Sequence, residues 1–544
     1  MKRDWLVILL GLLTSWAVAV NRTPSQMRAI AQQQLGGTLT RGTGAGSSLE
    51  IIYENGALAV IGDTATGFAV VSRNAAQIPV LGVSRSAFSL SEAPDGFRWW
   101  LKEMTARLES GLPLRTRSMT AVDNFVTTHW DQLDPFNGMC PRDGRERCPT
   151  GCVATAMAQV MKYYNYPAKG RGAGTYSVGA KGDTKPARIN GEYDWGNMRN
   201  LYSASSGTVQ KTAVQQLMYD AGCSVNMIYT KDGSSSTNPQ AAIAMFKNFS
   251  YDSLAIRYLN RAYYSDEEWE DFVYGELAQK RPILYGANDS AQDAGHAFLL
   301  TGNDETGKVW VNWGWGRARV VGGYDGFFEI NGLTLADGNY NFDSQHDMVI
   351  GFRPQLSPDD QDEIMSLWCY DEPYKLRVLD HGRLEFSIGM FFNLHVLWFQ
   401  GMLYYSFRNT ATNQTETLPL MDLQTDLVDS FYGFVPDDGE DYQRDTISIE
   451  SLAPGTYEFT ITSQARGEKS PSLMRTEGGP RYAMLTKAAD GSITIDKQAT
   501  AIRCVPGSAI VEPPYVYDLQ GRRVAKDAIP KGIFIQNGRK FVQK

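Results

Sequence analysis

The segment Cys148-Pro149-Thr150-Gly151-Cys152, running into Val153-Ala154-Thr155-Ala156-Met157-Ala158-Gln159, constrains this chain most. A Pro-Thr-Gly turn feeds small and apolar residues at helical spacing, so Cys152 should open a helix. There the helix dipole and the unpaired backbone N–H groups favour a thiolate, the nucleophilic form of cysteine. Gly295-His296-Ala297-Phe298-Leu299-Leu300 places a histidine in an apolar, strand-like run 144 positions later (296 − 152). Val311-Asn312-Trp313-Gly314-Trp315-Gly316 follows. The chemistry asks for these types. A thiol must lose its proton, imidazole can take and return one near neutral pH, and a third group must hold the ring.

Cysteine, then histidine, then an Asn-Trp pair is the chain order of papain-like cysteine proteases. The resemblance narrows to the streptopain family of secreted bacterial cysteine proteases. It is carried by Trp130-Asp131-Gln132-Leu133-Asp134-Pro135-Phe136-Asn137, Thr150-Gly151-Cys152-Val153-Ala154-Thr155-Ala156, Met161-Lys162-Tyr163-Tyr164-Asn165-Tyr166-Pro167, Gly295-His296-Ala297-Phe298 and Val311-Asn312-Trp313-Gly314-Trp315-Gly316. Five blocks in one order are specific where any single block is weak. They cover roughly residues 50–355, a propeptide and a catalytic domain, and leave the C-terminal third uncovered. The implied fold is α+β, a papain-like two-lobe protease with an α+β inhibitory propeptide; the all-β sandwich expected after it rests on the strand pattern instead.

Length and targeting set the frame. A chain of 544 residues exceeds one core. Hydrophobic content of 43% and charged content of 21% are ordinary for globular protein. A net charge of −8 without a dense Lys/Arg block argues against nucleic acid as a partner. Lys2 and Arg3, the apolar run Leu6–Leu13 and Ala17-Val18-Ala19 read as a signal peptide over 1–19, so the expected destination is secreted or cell surface.

The remaining boundaries follow the changes in pattern. Residues 20–118 hold short strands (Ile51–Tyr53, Leu58–Ile61, Gly67–Val71), a helix from Phe97 to Leu108, and a linker, Ser110–Ser118, with Arg115 and Arg117 expected to be exposed. This is the expected inhibitory propeptide. Residues 119–355 carry the catalytic blocks: helices Cys152–Tyr164 and Val209–Ala221, then strands Pro282–Gly286, His296–Thr301, Lys308–Trp313, Gly326–Ile330 and Asp347–Phe352. After an acidic linker, Ser357–Glu363, residues 356–505 alternate as a β-sandwich of immunoglobulin type. Residues 506–544 read as two hairpins with Gly turns. They resemble a type IX secretion sorting domain, which would make secretion machinery a partner; a plain terminal hairpin is the competing reading.

Each site residue has a bland rival. Cys152 could be a structural cysteine, and Cys148 could compete with it as nucleophile, but Pro149 follows Cys148 and the Gly-Cys-Val-Ala-Thr-Ala block does not. His296 is favoured as general base over His129, His346, His381 and His395; His346, among polar residues, reads as solvated. The family context gives Gln132 an oxyanion role beside the Cys152 N–H. It assigns orientation of the imidazole to Asn312 and Trp313 together, and leaves Trp315 as packing or a cleft wall. Cys140 and Cys148 could close a small loop, though spacing fixes no connectivity. No cofactor or metal is expected.

The insertion Arg317–Tyr324 departs from the family, which places subsite preference in question. Cys223 within Asp220–Val225 and the loop Asp232–Ser236 resemble the family's cleft lining and imply a hydrophobic residue next but one before the cut. Protein and peptide substrates, and the chain's own propeptide as inhibitor, are the implied partners. The alternative is a surface adhesion protein with a vestigial protease domain. A third is acyl transfer to amines by the same dyad.

Overall fold

A computed structural model describes residues 21–36, 49–63, 67–111, 114, 117–179, 181–203, 205–289, 294–316, 323–330, 344–354, 366–369, 373–434, 443–477 and 482–496, with short strands between 516 and 543. Outside these lie the expected signal peptide, Arg115, the Ser357–Glu363 linker, most of the Arg317–Tyr324 insertion and Cys504. The chain divides into two compact units. One comprises Met1–Ser250 and Glu270–Pro354; the other comprises Tyr251–Trp269 and Gln355–Lys544.

The first unit is built on one sheet. Its strands are β1 (Glu50–Glu54), β2 (Leu58–Asp63), β3 (Gly67–Ser72), β4 (Val80–Ser84), β5 (Ile283–Asp289), β6 (Ala294–Asn303), β7 (Val309–Asn312), β8 (Gly326–Phe328) and β9 (Ser344–Ile350). They are ordered β1-β2-β3-β4-β8-β7-β6-β5-β9. Strands β1 to β4 come from the expected propeptide and β5 to β9 from the expected catalytic domain. They join where β4 pairs antiparallel with β8, Gly326 opposite Ser84 and Phe328 opposite Gly82.

Both faces of β2 and β3 are buried, because a helix covers each face. On one side Met27, Ala31 and Leu35 of α1 (Pro24–Leu35) meet Ala59, Ile61, Ala69 and Val71. Helix α1 is started by a capping box between Thr23 and Gln26. On the other side Phe97 of α2 (Asp95–Glu109) packs edge-to-face on Phe68, centroids 5.6 Å apart. The linker meets the expectation of exposure at Ser110, Gly111 and Ser118 and departs from it at Leu114 and Arg117. Leu114 is buried, and Arg117 is held by Glu270 at 3.3 Å and Asp271 at 2.8 Å.

Three helices form the other half of this unit: α3 (Cys152–Tyr164), α4 (Thr208–Ser224) and α5 (Asn238–Lys247). Helix α3 packs on α4, on α5 and on β6. It is apolar nearly all round, as a central helix must be, with Val153, Ala154, Ala156, Met157, Val160 and Met161 buried. It ends in a left-handed Asn165, φ 48°.

In the second unit the strand Arg383–Ile388 pairs with Tyr374–Asp380 and Gln443–Ser448, and Phe399–Asn409 pairs with Thr415–Val428 and Gly455–Ala465. Phe386, Tyr405, Phe407 and Phe459 interdigitate between these sheets, Phe386 and Tyr405 at 4.8 Å, which is the expected β-sandwich. Near the C-terminus, Val516–Asp518 with Arg523–Val524 and Gly532–Gln536 with Arg539–Gln543 form the two expected hairpins.

Candidate active site

Cys152 is the first residue of α3. Gly151 precedes it at φ 87°, a left-handed value that glycine accepts without strain. A side chain there would strike Met227 and the carbonyl of Ser234. Thr155, one turn on, donates to the Gly151 carbonyl at 2.9 Å and pairs with the Thr150 hydroxyl at 2.7 Å, which fixes the turn. The Thr150 N–H donates to the Gln132 carbonyl at 2.9 Å, so Gln132 runs alongside the approach to Cys152.

Cys152 keeps some accessible surface, yet the protein packed around its sulphur dominates and pushes the thiol above its ordinary value. Backbone groups of Ala297, Val153 and Cys152 itself pull the other way, and the charge of Asp95, at the start of α2, adds to the rise. The helix start therefore acts as expected, but burial outweighs it here.

His296 lies on β6 next to Ala297, whose backbone reaches the Cys152 thiol. Strand alternation puts His296 on one face with Phe298 and Leu300. Its cross-strand partner is Ala287, and the next partner of Ala287 is His346. Helix α2 covers this face. Trp99 meets His346 at 5.1 Å and Phe298 at 6.4 Å, and Phe97 meets Trp313 at 5.9 Å. A Cβ on Gly96 would come within 3.1 Å of the Trp313 ring, so α2 approaches as closely as a glycine permits.

His346 corrects the solvated reading. It is 2% exposed, its Nδ1 lies 3.0 Å from the Tyr285 hydroxyl, and it sits inside β9. Its polar flanks misled, because this stretch is a strand paired with β5 rather than a loop.

Asn312 ends β7 and Trp313 follows it. The Asn312 amide is 2% exposed, donates to the Thr128 carbonyl at 2.8 Å and accepts from the Gly314 N–H at 3.0 Å. It also exchanges hydrogen bonds with the Gln159 amide, 3.1 Å and 3.2 Å. Trp313 is anchored by its backbone N–H to Asp325 at 3.0 Å and by its indole N–H to the Tyr324 carbonyl at 3.1 Å. The other Asp325 oxygen lies 3.0 Å from Nδ1 of His129. Asp325 and Gln159 were not read from the sequence as site residues. The available signal for Gln159 was a long polar side chain two turns after Cys152 on an apolar helix.

Cys140, Cys148, Cys152, Cys223 and Cys369 are free thiols. The Cys148 N–H donates to Pro141 at 3.0 Å, which sets Cys148 opposite Pro141 rather than Cys140 across the small hairpin Arg142–Arg147. Burial pushes the Cys140 thiol up to about 12. Among the described residues no cluster of His, Cys, Asp or Glu could hold a metal ion.

A thiol at a helix start, a histidine on the adjoining strand and a buried Asn-Trp pair define the class of thiol peptidases. The sequence profile of the Peptidase C10 family matches residues 130–328. Streptopain of Streptococcus pyogenes serotype M28 is 29% identical over 320 residues, 53% of this chain and 78% of its own length. The thiol protease/hemagglutinin PrtT of Porphyromonas gingivalis is 31% identical over 320 residues, 53% of this chain and 36% of that protein. Among solved structures, a Prevotella intermedia prointerpain A fragment superposes with a TM-score of 0.51 at 33% identity, covering 57% of this chain and 99% of that one. The chain belongs to the Peptidase C10 family, the streptopain family, and is a cysteine-type endopeptidase.

Proposed function

We propose that this endopeptidase is secreted as a zymogen in which residues 20–118 cover the site of residues 119–355. The observation that carries this reading is the seating of α2. It lies on the His296–Phe298–Trp313 face, with Asp95 close enough to Cys152 to disfavour its thiolate. Release of this segment frees that face and relieves the burial that raises the thiol.

In the freed enzyme Cys152 is the nucleophile. His296 takes its proton, and the sulphur attacks the scissile carbonyl. The N–H of Cys152 and the Gln132 amide receive the oxyanion. His296 then protonates the leaving amine, and water hydrolyses the thioester with His296 as base. Asn312 and Trp313 hold the strand end beside the imidazole. Met227 and the Ser234 loop against Gly151 support a cleft wall that accepts a hydrophobic residue at the second position before the cut. The terminal hairpins suit a sorting signal read by secretion machinery, consistent with the expected signal peptide over 1–19.

The test is peptide hydrolysis by three preparations: full chain, chain lacking residues 20–118, and the latter with purified 20–118 added back. Activity only in the second supports the zymogen. Equal activity in all three assigns residues 20–118 to folding alone. An inactive chain without 20–118 whose Cys152 still reacts with an alkylating probe would favour the adhesion reading.

A further inference from the structure

Helix α3 carries two buried polar side chains with recorded partners, Thr155 and Gln159, on an otherwise apolar cylinder. Thr155 secures the turn before Cys152. Gln159 is 0% exposed and stands seven positions after Cys152, two turns along the same face. A buried amide costs stability unless its hydrogen bonds are made, and an apolar residue of similar shape would fill the position without that cost.

The partners of Gln159 all lie on segments that carry site residues. Its Oε1 accepts from the Thr128 hydroxyl at 2.8 Å, from the Trp130 N–H at 3.4 Å and from the Asn312 amide at 3.1 Å. Its Nε2 donates back to Asn312 at 3.2 Å. Asn312 closes the ring by donating to the Thr128 carbonyl at 2.8 Å. One side chain thus ties the helix of Cys152, the segment that reaches Gln132 two residues after Trp130, and the strand end of Asn312–Trp313. Flipping either amide would set like against like across the reciprocal Gln159–Asn312 pair and would turn the Gln159 NH2 towards the Thr128 hydroxyl and the Trp130 N–H, so the pair holds one orientation.

We infer that Gln159 is a positioning residue for the peptidase reaction: through Asn312 and the Thr128–Trp130 segment it sets where Trp313 and the Gln132 amide stand relative to Cys152. The inference rests on the proposed roles of Cys152 and Gln132. Asn312 then works chiefly by binding Gln159 and Thr128, which couples the strand end to the nucleophile's helix.

The test uses the mature enzyme with Gln159→Met, which keeps length and removes the amide, and with Thr128→Val, which removes one donor. Working sites are counted by stoichiometric alkylation of Cys152, so turnover is expressed per reactive thiol. Gln159→Met is expected to lower kcat by roughly 10²-fold, the cost of a displacement near 1 Å, with KM moving far less. Thr128→Val should do the same more weakly. Gln159→Glu should recover turnover as pH falls, because a protonated carboxyl can again donate to Asn312; a role in stability alone would not produce that profile. Wild-type kcat per reactive thiol in Gln159→Met overturns the inference. If that variant yields no reactive thiol, unchanged kcat in Thr128→Val overturns it instead. Loss of activity in these variants alongside full activity in Cys152→Ala would condemn the nucleophile assignment rather than the role of Gln159.

Discussion

Residues 21–109 and the sandwich of residues 367–493 are both strand-rich additions to a protease, but they are built in opposite ways. The sandwich closes its own core: Leu367, Phe386, Phe407, Phe459 and Ile493 all belong to the second unit. The N-terminal region closes only half of one. Its α1 face is self-sufficient, whereas its α2 face shares Phe97, Trp100, Trp313, Tyr324 and Phe328 with the catalytic residues. Its sheet also continues into β8 through β4. A segment that lends its core to the site can control the site. Cutting the Ser110–Ser118 linker alone would leave the β4–β8 pairing and the aromatic cluster in place, so the proposed zymogen would need dissociation as well as cleavage.

The largest effect expected is from Cys152→Ala. It should lower peptide hydrolysis by more than about 10⁴-fold and leave the full chain uncut if maturation is autocatalytic. Retained hydrolysis would mean that the N-terminal region is built around something other than a nucleophile. Gln132→Ala should follow, with kcat down about 10²–10³-fold and KM little changed. A rise in KM alone would make Gln132 a substrate contact.

The contrast between the regions is broken or kept by a pair of truncations. Trp100 is 1% exposed and donates its indole N–H to the Glu329 carbonyl at 2.7 Å; Phe459 is 0% exposed at the sandwich centre. Each change to alanine should cost about 3–5 kcal/mol. Trp100→Ala should loosen α2 and give peptidase activity to the uncut chain. Phe459→Ala should lower the thermal midpoint of the sandwich and leave kcat of the processed enzyme unchanged. Latency that survives Trp100→Ala would mean that α2 does not hold the site shut. A gentler probe is the thiol itself. Burial by surrounding protein raises Cys152 in the present state, so its alkylation should require higher pH in the full chain than after removal of residues 20–118. Coincident pH profiles would show that the N-terminal region contributes nothing to that burial.

Much of this arrangement was legible in the sequence. Local signals located α3, because a Gly-Cys turn before an apolar helical run leaves little choice. They located β6 and β7, where apolar runs mark strands. Facts that depend on which surfaces meet were not legible. The polar flanks of His346 give no sign that β5 and α2 bury it. Arg117 reads as fully exposed because the linker's pattern cannot show that it finds Glu270 and Asp271, 153 and 154 positions later. The stretch Tyr251–Trp269 lies inside the catalytic sequence yet belongs to the second compact unit, a grouping that no local pattern announces.

That stretch supplies the smallest effect and the finest test of how the second unit is closed. Glu268 accepts from the Ser265 N–H at 3.0 Å and hydroxyl at 3.1 Å, a capping arrangement at a helix start, and Arg475 reaches it at 3.1 Å while lying 4.3 Å over the Tyr264 ring. Burial opposes ionisation of Glu268, but Arg475 and Ser265 outweigh it and hold the carboxyl below its ordinary range. A folded-state value below the unfolded one stabilises the fold at pH above the ordinary carboxylate range and loses that contribution as pH falls through the folded value. The pair is partly exposed, so screening limits it to about 0.2–1 kcal/mol. Glu268→Gln should therefore lower the unfolding free energy of the second unit slightly at neutral pH, and the gap to the parent should close towards acid. A gap independent of pH would assign the effect to the helix cap rather than to the charge on Arg475.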